Sequence, residues 1–114
     1  MKLDRNINAN GRGKYALLKL RKLDEYTSQE PFAELAKPIA DAIKTLEDAG
    51  ILDWGIAGTE AEFMVIRLKD KYAQGALCDY ATRAERDGEW EYGAEIRSMA
   101  ARSGPSSPWC KKPD

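Results

Sequence analysis

The longest regular pattern of apolar positions runs from Phe32 to Leu46, where Phe32, Leu35, Ile39, Ile43 and Leu46 recur at three- and four-residue steps. That spacing puts them on one stripe of an α-helix. Pro31 suits its first turn, Thr27 or Ser28 can cap it, and Gly50 supplies its exit. Pro38 has no amide hydrogen and clashes with a preceding turn, so the helix is expected to kink or start afresh there, in two pieces. A second helical pattern carries Ala73, Leu77, Tyr80 and Ala84 on one face, and a third carries Tyr92, Ile96 and Met99. Their short connection at Asp87-Gly88 predicts an antiparallel pair.

Other segments read as extended. The run from Glu62 to Leu68 holds consecutive apolar residues, Phe63 to Ile66, which predicts a central strand buried on both faces. Between Tyr15 and Leu23 the pattern is double: Leu17, Leu20 and Leu23 fit a helix, whereas Ala16, Leu18 and Leu20 against Lys19 and Arg21 fit a strand. The glycines ahead of it favour the strand. Leu3 to Ile7 reads as a short strand and 8–13 as a loop around the turn dipeptide Asn10-Gly11. Ile51 to Thr59 reads as a loop with a short strand around Trp54. These elements predict an α+β fold, a small antiparallel sheet containing 62–68 and 15–22 packed against the 32–49 helix and the helix pair from 70 to 103. Phe32, Leu35, Ile39, Ile43, Leu46, Val65, Ile66, Leu77 and Ile96 are its expected core. One domain over 1–104 is expected, followed by an extended or disordered tail over 105–114.

Composition agrees with one ordinary core. The chain has 114 residues, 43% apolar and 32% charged, near globular averages. No apolar run approaches the ~18 residues of a membrane span. The start, Met1-Lys2-Leu3-Asp4-Arg5, has no apolar stretch behind its basic residues, which argues against a signal peptide and for the cytosol. Two cysteines, Cys78 and Cys110, make no disulfide framework and, lacking further sulfur or imidazole, no zinc site. The absence of histidine excludes most: Ser-His-Asp and Cys-His nucleophiles, imidazole metal sites and histidine bases.

The net charge of −1 conceals a segregation. Residues 1–26 carry seven basic and three acidic residues, a net +4; 27–65 carry two and eight, a net −6; 66–114 carry nine and eight, a net +1. The basic arm and acidic middle either fold on one another or present a dipolar surface.

The most suggestive chemistry lies in Asn10-Gly11-Arg12-Gly13-Lys14, where a turn of small residues exposes backbone amides beside two cations, a combination that suits phosphate. It matches neither GxxxxGK[ST] nor GxGxxG, and a hairpin loop with solvated charges explains it equally simply. Tyr15 and Trp54 offer rings for stacking and Arg67 a further cation, so Asn10, Arg12, Lys14, Tyr15, Trp54 and Arg67 form the candidate ligand set. Trp90, Tyr92 and Trp109 also lie at element ends, with edge packing as the default for each. Asp53, Glu60 and Glu62 are paired acids that could do acid–base work or hold a hard cation, but they lack calcium-loop spacing and read better as a solvated edge. No cofactor, metal or catalytic residue is assigned. A pI near 5.6 argues against nucleic acid.

The opening Met1-Lys2-Leu3-Asp4-Arg5-Asn6 with Gly11-Arg12-Gly13-Lys14-Tyr15-Ala16-Leu17, the stretch Glu62 to Ala73, and the ending Pro108-Trp109-Cys110-Lys111-Lys112-Pro113-Asp114 resemble small accessory proteins of tailed bacteriophages. The resemblance spans about half of the chain, as phrases rather than a catalytic motif, and brings no activity. It implies a non-structural product acting in the host bacterial cytoplasm, where binding and inhibiting a host factor is the common expectation. The leading reading is therefore a non-enzymatic binding protein that sequesters an anionic nucleotide ligand or signal. The alternatives are an inhibitor of a host protein surface and, third, a metal-assisted hydrolase using Asp/Glu. Apolar residues on nearly every element predict a homo-oligomer.

Overall fold

A computed structural model describes residues 1–3, 13–30 and 32–113. Its contacts divide the chain into two compact units, one formed by 1–16 with 65–114 and the other by 17–64.

The 17–64 unit holds two helices. α1 (Leu20–Thr27) is closed by its own last residues: the Thr27 hydroxyl donates to the Leu23 carbonyl at 2.9 Å and the Ser28 hydroxyl to the Glu25 carbonyl at 3.0 Å. A single 3₁₀ turn, Phe32–Leu35, leads into α2 (Ala36–Asp48). Pro38 is the third residue of α2. Amides in a first turn have no partner within the helix, so the missing N–H costs little there and the ring meets no earlier turn. Gly50, at φ +72°, ends α2: its amide reaches the Glu47 carbonyl at 3.0 Å and that of Ile51 reaches Leu46 at 2.9 Å. One face of α2 is laced by the exposed pairs Lys37–Asp41 at 2.9 Å and Lys44–Asp48 at 3.3 Å. Residues 51–64 then form turns. Gly55, at φ +60°, lies under the Phe63 ring so closely that a side chain there would overlap it.

The second unit is built on α3 (Ala73–Arg86) and α4 (Trp90–Ala100), joined through Gly88 at φ +85°. They run antiparallel, with Gln74 donating to the Ala100 carbonyl at 2.9 Å and Gly93 facing Ala81 and Glu85. A Cβ on Gly93 would sit 3.2 Å from the Ala81 carbonyl oxygen, so glycine permits the close helix approach. The seam buries Ala73, Ala81, Gly93, Ile96 and Ala100. After α4 the chain turns at Ser103, fully buried with its hydroxyl on the Ala100 carbonyl, and enters a 3₁₀ turn, Gly104–Ser106. Beyond it Ser107 is also buried. Lys111 pairs in parallel with the segment before α3: its amide donates to Lys69 at 3.1 Å and its carbonyl accepts from Lys71 at 2.8 Å.

Three helices and their connections match the periodicity, including the fresh start near Pro38. The α+β expectation does not hold: among the described residues there is no strand or sheet, about half are helical, and the fold is all-α. The proposed strand 15–22 is irregular up to Lys19 and helical from Leu20; its alternation gave way to the three-residue spacing of Leu17, Leu20 and Leu23. The proposed central strand 62–68 has no ladder partner, and Phe63, Met64, Val65 and Ile66 are all exposed. A buried strand needs a neighbour on each edge, and among the described residues the one bridge is Asp70–Lys111. The region around Trp54 is irregular rather than extended into a strand, and most of Leu3 to Ile7 lies outside the described residues. Thr27 and Ser28 close α1 instead of capping α2. Of the expected core, Ile96 is buried; Leu77, Ile39 and Ile43 are half-buried; Leu35, Leu46, Val65 and Ile66 are exposed.

Candidate functional site

The expected anion loop falls largely outside view: Asn10 and Arg12 lie outside the described residues. Lys14 is exposed in a bend, and the Tyr15 ring beside it retains 85% of its surface. Trp54 belongs to the other unit, where its indole N–H donates to Glu47 at 2.8 Å.

Arg67 lines an open groove of about 180 Å³ with Val65, Lys69, Asp70, Lys111 and Pro113. The bridge between Lys69–Lys71 and Lys111 fixes its floor, and the Asp70 carboxylate accepts the Arg67 amide at 3.1 Å. Three cations and one carboxylate thus meet at one concavity. Nothing in their spacing along the chain announces this, although Lys69, Lys71, Lys111 and Lys112 were visible as two basic clusters.

A different kind of surface covers 17–64. None of its described residues is buried. The α2 stripe of Ile39 and Ile43 is half-covered, and Leu35 and Leu46 are more open. The connection after α2 is barer still: Ile51, Ile56, Phe63 and Met64 retain 58–79% of their surface. Their scaffold is nevertheless held by polar contacts. Asp53 Oδ1 accepts the Gly55 amide and Glu62 Oε1 the Gly58 amide, both at 2.9 Å. These bonds engage two of the three acids considered for acid–base work, Asp53 and Glu62, in holding turns. The unit carries five basic and ten acidic residues, a net −5, so its apolar side chains sit in an acidic setting. Sequence reading missed Ile51, Ile56, Phe63 and Met64 as surface groups because an apolar residue near glycines looks the same whether covered or bare.

Elsewhere, Arg97 bonds Glu85 through Nε at 2.6 Å and through Nη2 at 3.1 Å, with Thr82 Oγ1 at 2.8 Å. This fork holds the Glu85 carboxyl below its ordinary range and raises the guanidinium in turn. It ties α3 to α4. Cys78 is half-buried and Cys110 exposed, both as free thiols. Among the described residues no three His, Cys, Asp or Glu side chains converge to hold a metal, and no helix is long and apolar enough to cross a membrane. No protein-family model, curated protein or solved structure matches the chain.

Proposed function

We propose that the chain is a non-catalytic binding protein and that its 17–64 unit seats on a partner protein whose surface has an apolar centre and a basic rim. The observation that carries this reading is the bareness of that unit. Its helices are formed and α2 is laced by ion pairs, yet none of its described side chains is buried. Removing apolar surface from water releases roughly 25 cal/mol per Å², and a stable interface covers about 800 Å² on each partner. The stripe of α2 and the side chains at 51, 56, 63 and 64 supply apolar area of the kind that such a contact uses. The net −5 selects the chemistry of the rim: a second copy of the same face would repeat the charge, while a basic surface complements it. In the bacteriophage setting that the sequence phrases suggest, the partner is a host protein in the bacterial cytoplasm, kept from its work by occupation.

The nucleotide reading rests on the 10–14 loop, of which Asn10 and Arg12 lie outside the described residues, and the described groove at Arg67 adds little to it. Small-molecule sites enclose about 300–1,000 Å³, whereas the groove at Arg67 holds about 180 Å³ and is open.

A photo-crosslinking residue at position 63, compared with one at the exposed position 86 of the other unit, tests the reading. A partner adduct is expected from 63 and not from 86. With the partner purified, Ile51→Ser/Phe63→Ser should abolish the complex, and added salt should weaken it. Adducts only to a second copy of the chain, or equal adducts from both positions, would sink the proposal.

A further inference from the structure

Length, cover and the order of charges set the helices of 17–64 apart from α3 and α4. A lone helix shorter than about 12–15 residues is marginal in water; α1 has 8 residues and α2 has 13, and neither buries a side chain. Their charges stand at the wrong ends. Aligned peptide dipoles favour acids in the first turn of a helix and bases in the last. α1 begins instead with Arg21 and Lys22 and carries Asp24 and Glu25 in its second half, while α2 has Lys37 in its first turn and Glu47 and Asp48 in its last. The ion pairs on α2 repeat the inversion, because in Lys37–Asp41 and Lys44–Asp48 the base precedes the acid, the weaker order along a helix. The other two helices follow the rule. Arg83 and Arg86 stand in the last turn of α3, Glu91 in the first and Arg97 in the last turn of α4, and Asp79 precedes its partner Arg83.

We infer that 17–64 opens as a unit of its own, melting in the free chain while α3 and α4 stay folded, and that docking is coupled to its closing. The opening follows from α1 and α2 themselves and from contacts that group 17–64 as one compact unit. The coupling rests on the docking reading given above: only the closed unit presents the stripe of α2 and the side chains at 51, 56, 63 and 64 as one surface. A partner that binds the closed unit and not the open one stabilises it by mass action. Its apparent affinity is then scaled by the closed fraction.

Trp54 provides the readout, since its indole N–H bonds Glu47 in the last turn of α2 at 2.8 Å. Replacing the two other tryptophans, both exposed, in Trp90→Phe/Trp109→Phe leaves Trp54 as the sole indole. Its emission, followed through a urea titration, should change at lower urea than the amide resonances of α3 and α4. The slope should also be shallow, because a unit without buried residues exposes little new surface. Exchanging one pair of charges in Lys37→Glu/Asp41→Lys keeps the net charge and the pair but restores the favourable order. It should raise the closed-to-open ratio at least about threefold, read at Trp54, with α3 and α4 unmoved. Transitions that coincide, or a charge exchange that shifts all four helices together, would overturn the separate opening. The partner captured at position 63 should move the Trp54 midpoint to higher urea and leave the α3 and α4 amides where they are; a partner that binds without moving Trp54 would overturn the coupling. If no adduct forms at 63, the docking reading and the coupling fall together, whereas the two transitions still decide the separate opening.

Discussion

The α3–α4 seam and the 17–64 unit treat their apolar residues in opposite ways, although the unit around the seam also leaves Tyr72, Trp90 and Trp109 exposed. That seam consists of three alanines, Gly93 and one large side chain, Ile96, and is buried almost completely. The 17–64 unit has isoleucines, leucines, phenylalanine and tryptophan, and none of its described residues is buried. Burial therefore follows fit rather than hydrophobic content. Small residues at 73, 81, 93 and 100 let two backbones approach, and the close-packed seam excludes water with little side-chain volume. Large residues on α2 project an apolar stripe that a single helix cannot cover. The first arrangement is a finished core, and the second is a surface shaped for something to complete it.

The sharpest way to break this contrast is to remove bulk from each side. Ile96→Ala should cost about 3 kcal/mol, because it empties a nearly sealed site. Ile43→Ala, from a half-covered site, should cost about 1 kcal/mol or less. Urea denaturation of both variants checks the pair; equal losses would mean that 17–64 holds a core after all. Hydrogen exchange reads the same difference without mutation. Amides in the middle of α3 and α4 should exchange at least about a hundredfold more slowly than those of α2, an opening difference of about 2.7 kcal/mol. The seam itself can be wedged apart. Gly93→Val places carbon against the Ala81 carbonyl and the Glu85 side chain and should destabilise by about 2 kcal/mol, despite the poor helix propensity of glycine, and the loss should appear in α3 as well as α4.

Helices were legible in the sequence because their signal is local: the stripe from Leu35 to Leu46, the break before Pro38 and the glycines at 50 and 88 each act within a few residues. The strands were misjudged because a strand is a statement about neighbours. Phe63 to Ile66 has the composition of a central strand, but among the described residues no segment pairs with its edges, and the same residues remain exposed. Leu17 to Leu23 carried both periods, and the helical one prevailed once Leu20 began a turn that its own carbonyls could satisfy. The core was misplaced for a related reason. Periodicity marks large apolar residues and passes over Ala73, Ala81, Gly93 and Ser103, whose value lies in what they allow to approach. Of the candidate site, Arg67 could be named from its charge, but its meeting with Lys69 and Lys111 depends on a backbone pairing that spans most of the second half of the chain.

The smallest test compares polar contacts, where the two units also differ. Glu85 and Arg97 bridge α3 and α4 with two bonds, and the Glu85 side chain keeps only 20% of its surface. Lys37 and Asp41 stand in open water on one helix, at 85% and 66%. The Arg97 bond lowers the Glu85 carboxyl below its ordinary value, so its ionised form favours the folded state. That contribution is fully present above the unfolded carboxylate range, near ~4.3, and is lost as pH falls through the lower folded value. Glu85→Gln should therefore lower the melting midpoint by the same amount across pH 6–8 (roughly the range where the carboxyl stays ionised in both states), and the gap to the unsubstituted chain should close in acid. Asp41→Asn should change stability by no more than about 0.5 kcal/mol, because solvent and side-chain freedom offset an exposed pair. Thermal melts of both variants between neutral and acid pH decide the matter. If Asp41→Asn proves as costly as Glu85→Gln, the polar scaffold of 17–64 is as firmly set as the α3–α4 seam, and its bareness would no longer distinguish the two units.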